Sequence, residues 1–358
     1  MVDVTTAVAL SLAPGEVRFR AVALLRGGLA ATGGPPTLER ALADVLGGGA
    51  RHVRRLASRL ERDAGAALRA AADARVAPIA WTDPRYPAAL LTLADAPPVL
   101  WAVGRLDALQ APAVAVVGSR APTPAGRQVA FALGRDLAAA GLVVVSGLAR
   151  GIDGAAHEGA LSTGLTTAVL GCGVDRPYPP EHRPLAARVA RSGVVVSEFP
   201  PATAPHAHHF PLRNRLISGL AAAVVVVEAA DRSGSLITAR WALEQGRDVL
   251  AVPGSVLSGR SRGCHALIRD GADLVESAED VLAELGRVAP TAGRDAPAHP
   301  GASDPVLAAM PPGEAMSLDV LMAETGLSAP RVLERLLEAE LAGAVERTGA
   351  GRFCRLDR

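Results

Sequence analysis

Two wholly apolar, largely β-branched runs, at residues 114–117 and 142–145, constrain this chain more than any other feature. Each stops at glycine and small polar residues. Gly118-Ser119-Arg120 follows the first, and Ser146-Gly147-Leu148-Ala149-Arg150-Gly151-Ile152-Asp153 follows the second. Between them Phe131, Leu133 and Leu137 recur at near-helical spacing, with Arg127, Arg135 and Asp136 interleaved. A strand without polar alternation is buried on both faces, and two such strands joined by a helix form a parallel pair. Ligands of parallel sheets gather at the carboxyl ends of the strands, beside helix N-termini. Free N–H groups and the positive end of the helix dipole make each such loop a candidate anion site. Arg120 adds a planar, forked cation suited to phosphate.

The alternation continues along the chain. Further apolar strands are predicted at 166–170, 194–196, 224–227 and 249–252, ending at Gly171-Cys172-Gly173, Ser197-Glu198-Phe199, Glu228-Ala229 and Pro253-Gly254. Helices are predicted at 152–161, 183–191, 214–220, 236–245 and 265–269. Six strands with helical crossovers make a doubly wound, mostly parallel α/β sheet. Four regions follow. Residues 1–75 read as a small helical domain, with Gly27-Gly28 and Gly33-Gly34-Pro35-Pro36 as turns. Residues 76–285 form the α/β domain, beginning with a proline-rich connector that holds short strands at the sheet edge and packs Trp81, Tyr86 and Trp101. Residues 286–304 are a Pro, Gly, Ala and Asp linker. Residues 305–358 read as three helices and a hairpin turned at Gly349-Ala350-Gly351, the outline of a winged helix.

The formal net charge is only +1, so a nucleic-acid partner must be held by a local patch. All 37 basic side chains are arginine, which with the abundant alanine and glycine reads as compositional bias. Arg51, Arg55, Arg59 and Arg62 fall on one helical face, opposite Val53, Leu56 and Leu60. That face reads as a solvated surface or as an auxiliary phosphate contact. In the winged helix, Arg331 and Arg335 share their helix with Glu334, Glu338 and Glu340, which favours protein contact over groove reading. Three scattered cysteines match no metal spacing and fit a reducing cytoplasm. No apolar run is long enough to span a bilayer.

The strong polar signals all fall near strand ends. Gly118, Ser119, Arg120, Ser146, Gly147 and Arg150 are joined by Phe210-Pro211-Leu212-Arg213-Asn214-Arg215, read as lying directly before a helix, and by Ser233-Gly234-Ser235 at a helix start. Several cationic loops along one edge suit a polyanion better than a mononucleotide. Phe210 beside Arg213 and Arg215 pairs a stacking face with backbone-holding cations, the device of single-strand binders. Asp153 is expected to cap a helix, Asp175 to play a structural part, and His206-Ala207-His208-His209 to form a surface loop. Gly-Ser-Arg is not a dinucleotide fingerprint, and a lysine-dependent phosphate loop is impossible. Neither Ser119 nor Ser146 has a His-Asp pair near it in sequence. The site reads as one that binds, with no cofactor, metal or catalytic residue.

These segments, with Ala156-His157, Tyr178-Pro179, Leu236-Ile237-Thr238-Ala239 and Ala251-Val252-Pro253-Gly254, resemble in order the bacterial DNA-processing protein A (Smf) family. The tail Leu337-Glu338-Ala339-Glu340-Leu341-Ala342-Gly343 resembles its winged-helix appendage. The N-terminal region is similar to the sterile-alpha-motif-like or helix-hairpin-helix extension of longer members. The resemblance implies an extended Rossmann-like domain that binds single-stranded DNA as a homodimer and loads the RecA recombinase during natural transformation. It implies DNA contacts at Ser119, Arg120, Gly147, Phe210, Arg213 and Arg215. Three departures stand out: Ala121-Pro122-Thr123-Pro124 replaces a common aromatic, Cys264-His265 a common asparagine, and histidines a common basic residue ahead of Phe210. Were those histidines to hold phosphate, affinity would fall as pH rises through about 6.5. Two other classes compete: a phosphoribohydrolase-like nucleotide enzyme, with Glu198 or Glu228 as its carboxylate, and a winged-helix regulator with a ligand-sensing domain.

Overall fold

The computed structural model describes residues 2–26, 37–47, 49–286, 304–348 and 351–356. The turns expected at Gly27-Gly28 and Gly33-Gly34-Pro35-Pro36, nearly all of the expected linker, and Gly349-Ala350 lie outside the described residues. The N-terminal region is helical, as its composition predicts: α1 (Val4–Ser11), α2 (Gly15–Arg26), α3 (Leu38–Leu46) and α4 (Ala50–Asp73). Asp3 and Thr37 cap α1 and α3 by accepting from backbone N–H groups three residues on. The connector that follows holds β1 (Ala77–Ala80), the single-turn α5 (Ala88–Leu91) and β2 (Val99–Gly104).

The α/β core runs β3 (Ala113–Gly118), α6 (Pro124–Ala139), β4 (Val143–Ser146), α7 (Ile152–Thr163), β5 (Thr166–Leu170), α8 (Arg183–Ser192), β6 (Val194–Ser197), α9 (His209–Gly219), β7 (Ala223–Val227), α10 (Ser235–Glu244), β8 (Asp248–Ala251), α11 (Arg262–Arg269), β9 (Asp273–Leu274) and α12 (Ala278–Glu284). Among the described residues the large sheet has nine strands in the order β1-β2-β6-β5-β4-β3-β7-β8-β9. β3 through β9 pair in parallel, while β2 pairs antiparallel with both β1 and β6. Strand order reverses at β3, which lies between β4 and β7. That is the switch point at which doubly wound sheets open a crevice.

Alternate residues of each strand enter different cores. Val114, Val116, Val144 and Val225 pack beneath α6, α7 and α12, while Ala115, Val117, Val145 and Val224 pack beneath α9, α10 and α11. Trp101, Leu170 and Leu185 join Leu10, Leu42 and Val53 in one apolar cluster, so the helical region shares its core with the sheet. Burying each such side chain is worth about 1.5–3 kcal/mol. Beyond the linker come α13 (Pro305–Ala308), β10 (Ala315–Ser317), α14 (Leu318–Thr325), α15 (Ala329–Leu341), β11 (Val345–Thr348) and β12 (Arg352–Arg355) around Val306, Leu321, Leu336 and Phe353. The expected hairpin is thus two strands of a three-stranded wing, with β10 paired to β12.

The helices α9 and α12 depart furthest from the sequence reading. α9 begins at His209, five residues before the expected 214, so Phe210 and Arg213 are helical rather than on a loop. Pro211 lies in the first turn, where its missing N–H removes no helical bond. α12 was not expected; a Ser277–Asp280 capping box starts it.

Polar contacts pin two helices to the sheet. The guanidinium of Arg215, on α9, is buried between Asp95 at 2.7 Å and Glu198 at 2.8 Å, which ties the helix to the connector and to the end of β6. His157, on α7, is fully buried with Nδ1 2.7 Å from the Thr166 hydroxyl. That hydroxyl donates to the Val144 carbonyl at 2.6 Å, so Nδ1 must carry the ring proton and donate. Nε2 then faces the core with a bare lone pair and no partner among the described residues.

Replacing Glu198 with alanine leaves the Arg215 charge buried beside a single carboxylate, and a stability loss of about 3–5 kcal/mol is expected from denaturant unfolding. A loss within about 0.5 kcal/mol would contradict it. Burial pulls the His157 pKa down to about 3. The unfolded chain therefore takes up a proton near 6.5 that the folded chain refuses, so this contribution is complete above that pH and is lost as pH falls. Between pH 7.5 and 5.0 the wild-type chain should lose about 2 kcal/mol more than His157→Gln. Parallel losses in urea titrations would overturn this.

Candidate nucleic-acid interface

At the switch point the carboxyl ends of β3, β4 and β7 face the N-terminal turns of α9 and α10 across a cleft of about 470 Å³. Gly118, Ser119 and Arg120 form one wall; Phe210, Arg213 and Asn214 form another; Arg232 through Ser235 close the third. A smaller pocket of about 70 Å³ shares Arg120, Ala149, Phe210 and Arg213 with the cleft and adds Gly147, Arg150, Tyr178 and Pro179. Phe210 therefore stands between two adjoining hollows.

Close backbone approach sets the first wall. A Cβ on Gly118 would lie 1.9 Å from the Val227 carbonyl and 2.7 Å from Ile152, so only glycine lets β3, β7 and α7 converge here. Ser119 N–H donates to the Glu228 carbonyl at 2.9 Å, and the Ser119 carbonyl accepts from Ile152 at 3.1 Å. Leu148 and Glu228 occupy left-handed backbone conformations, φ 58° and 50°, which non-glycine residues adopt at a cost and which cluster at binding sites. The Glu228 carboxylate accepts from the Thr123 N–H at 2.9 and 3.0 Å and from its hydroxyl, fixing the segment that carries Arg120.

The arginines have three different settings. Arg120 is exposed, its guanidinium carbon 5.8 Å from the centre of the Phe210 ring. Arg213 is 3% exposed. It donates to the carbonyls of Gly147, at 2.8 Å, and Val169, and to Asn214 Oδ1 at 3.3 Å. Burial lowers its pKa to about 10, with Asp153 opposing, and the group stays charged at neutral pH. Arg215 is not brought to the cleft: it is spent on Asp95 and Glu198. The expectation of a phosphate contact there is corrected, since a guanidinium between two carboxylates offers no field to a third anion. Arg150 lines the smaller pocket but pairs with Glu181.

Asp153 is not the helix cap expected of it; it ties down the loop ahead of α7. Gly151 holds the N-cap position of α7, and Asp153 Oδ2 accepts from the N–H groups of Gly147, at 3.1 Å, and Ala149, at 3.2 Å. Burial raises its pKa, with Arg213 pulling the other way. A Cβ on Gly147 would meet Arg213 and Asp153, each at 2.8 Å. Ser146 is buried and donates to Val116, away from either hollow. The α10 terminus is less open than a bare helix end: the N–H groups of Ser235, Leu236 and Ile237 already donate to Ser233 Oγ, Ser233 O and Gly234 O. Gly234 lies open on the cleft wall. Arg232 is the exposed cation the sequence reading passed over, although it directly precedes the Ser-Gly-Ser segment. Tyr178, with its ring 5.6 Å from Phe210, was noticed only as a family motif.

His206, His208 and His209 pack on one another, His209 stacks 3.9 Å from Phe199, and none of the three lines either hollow. Burial pulls the His209 pKa down, with the neighbouring histidines adding to the effect. Among the described residues no group of three or more His, Cys, Asp or Glu is placed to hold a metal, and no helix is long and apolar enough to cross a membrane. The two carboxylates considered for catalysis are engaged elsewhere, Glu198 with Arg215 and Glu228 with Thr123.

The profile of a family described as DNA recombination-mediator protein A matches residues 77–286, and that of the DprA winged helix domain matches residues 289–351. The putative DNA processing protein DprA of Mycobacterium tuberculosis is 46% identical over 271 residues, covering 72% of this chain and 69% of that protein. Protein Smf of Escherichia coli is 44% identical over 283 residues, covering 76% and 75%. In the crystal structure of DprA from Streptococcus pneumoniae, 38% identity accompanies a TM-score of 0.70 over 79% of this chain and 98% of that one. A structure of DNA processing protein A from Helicobacter pylori, described by its single-stranded DNA binding mode, gives 32% identity and a TM-score of 0.52 over 56% and 92%. With the glycine-walled crevice, the arginine over an aromatic ring and the winged helix all in place, the chain belongs to the DNA recombination-mediator protein A family.

Proposed function

We propose that this protein is a recombination mediator that binds single-stranded DNA along the cleft, protects it, and loads the RecA recombinase onto it during natural transformation, acting in the cytoplasm as a homodimer. The observation that carries the proposal is the exposed Arg120 guanidinium set over Phe210 between two hollows, with Tyr178 beyond. An aromatic face stacks a base of any identity while cations hold the backbone on either side. Arg232 and Gly234 line the third wall of the same cleft, so a strand has room to continue past one nucleotide. The Helicobacter pylori relative, whose structure is described by its single-stranded DNA binding, supports the polymer over a mononucleotide. The proposed DNA contacts are Gly118, Ser119, Arg120, Gly147, Phe210, Asn214, Ser233, Gly234 and Ser235, with Arg213 and Asp153 holding the walls. RecA and the second subunit come from the family resemblance; no cofactor is needed.

Fluorescence anisotropy of a labelled homopolymer against blunt duplex, across a salt series, tests this. Wild-type protein should prefer the single strand. Phe210→Ala should weaken it roughly 5- to 150-fold, the range of about 1–3 kcal/mol per stacked base. Arg120→Ala should weaken all sequences alike and reduce the log–log salt slope by about 0.7. Absence of single-strand binding at low salt, or turnover of a nucleoside monophosphate, would move the protein to the nucleotide-enzyme class. A preference for a duplex operator would make it a regulator.

A further inference from the structure

Helix α4 carries a second cationic surface that the cleft does not use. At about 100° per residue, Arg51, Arg55, Arg59, Arg62 and Arg69 fall within about 80° of one another around the axis. All five are exposed, and they lie opposite the buried seam of Val53, Ala57, Leu60, Ala64 and Ala71. Ser58 and Ala66 complete that sector until Asp73 ends the helix. Glu61 and Asp63 project to either side, and Arg59 with Asp63 at 3.7 Å is the one ion pair these arginines make among the described residues. Helix stability does not call for this arrangement. Arg51 and His52 occupy a first turn that has no acidic residue, where the positive end of the helix repels cations.

The five arginines span roughly 27 Å, the rise of about eight base pairs along one DNA strand. The helix carries no Phe, Tyr or Trp, and its one imidazole, His52, lies at the end of the arginine row rather than interleaved with it. A straight row of guanidinium groups instead matches phosphates already held in a rigid, regular array. We infer that this face of α4 contacts the phosphate backbone of double-stranded DNA, so that the protein engages single-strand–duplex junctions, with the strand in the cleft and the adjoining duplex on α4. The inference rests on the single-strand reading of the cleft for its junction geometry.

The test compares full-length wild type, the quadruple variant Arg51→Gln/Arg55→Gln/Arg59→Gln/Arg62→Gln, and Phe210→Ala. Each is titrated with a single strand, a blunt duplex and a duplex bearing that strand as a tail, across salt. Glutamine keeps helix propensity, and thermal melts check folding; the double variants Arg51→Gln/Arg55→Gln and Arg59→Gln/Arg62→Gln should each give about half the effect. Wild type should bind the tailed duplex more tightly than the strand alone. The quadruple variant should lose at least about tenfold on both duplex probes, with a salt slope smaller by about 3–4, and keep its single-strand affinity. Phe210→Ala should do the reverse, losing the single strand and keeping the blunt duplex, so failure of the cleft reading is visible separately. The inference is overturned by unchanged duplex affinity and slope, by equal loss on the single strand, or by binding of poly-glutamate in place of duplex, which would give the face to an acidic protein.

Discussion

The buried guanidinium of Arg213 is the contact on which the geometry of the cleft depends. It reaches from α9 beneath the carboxyl ends of β4 and β5, donating to the carbonyls of Gly147 and Val169, with Asn214 taking a third bond. One planar fork can serve several acceptors at once; a lysine ammonium at that depth would be a point charge with no fixed plane. Asp153 answers from the other side, accepting from Gly147 and Ala149 and returning some of the charge balance that burial removes. Phe210 sits three residues earlier on the same helix, on the same side and one turn nearer the mouth. Anchoring Arg213 therefore also aims the aromatic ring.

Burial sorts the arginines into jobs that their spelling in the sequence hides. In Arg213-Asn214-Arg215 the two arginines are two positions apart on a helix, so they point in widely different directions. One enters the floor of the cleft and the other turns back to Asp95 and Glu198. Arg120 stays exposed because Pro122, Thr123 and Pro124 stiffen the stretch after it, and Glu228 ties Thr123 down from beneath. Three arginines that look alike in the sequence resolve into one exposed at the cleft, one for its floor and one for the frame.

The central strands were legible in the sequence because continuous valine leaves no other way to be buried; each expected strand lies within a residue or two of an observed one. The sheet edges were less so. β9 is two residues long, and its partner geometry depends on β8 rather than on any pattern of its own. Pro211 misplaced the start of α9, because a proline that breaks a helix interior is harmless in a first turn. The glycines and Arg120 were legible as a site since they fall at strand ends. Arg232 and the fate of Arg215 were not, because both depend on which residues distant in sequence, such as Asp95, arrive alongside.

The same hydrogen-bond ledger bears on what the cleft can discriminate. Reading a base edge needs a guanidinium, amide, carboxylate or hydroxyl held in a fixed direction. Asn214 has its amide partly committed, one Nδ2 N–H to the Gly234 carbonyl at 3.4 Å and Oδ1 to Arg213. Ser233 and Ser235 bond each other at 2.7 Å, and Ser119 Oγ accepts from Ala121 at 3.2 Å. The Glu228 carboxylate is taken by Thr123. What faces the open cleft includes an aromatic ring, two exposed guanidinium groups and a bare glycine, which together offer a stacking face and phosphate-holding cations. On the proposed reading, such a wall would hold a strand chiefly by stacking and charge, the property a mediator acting on arbitrary incoming DNA requires.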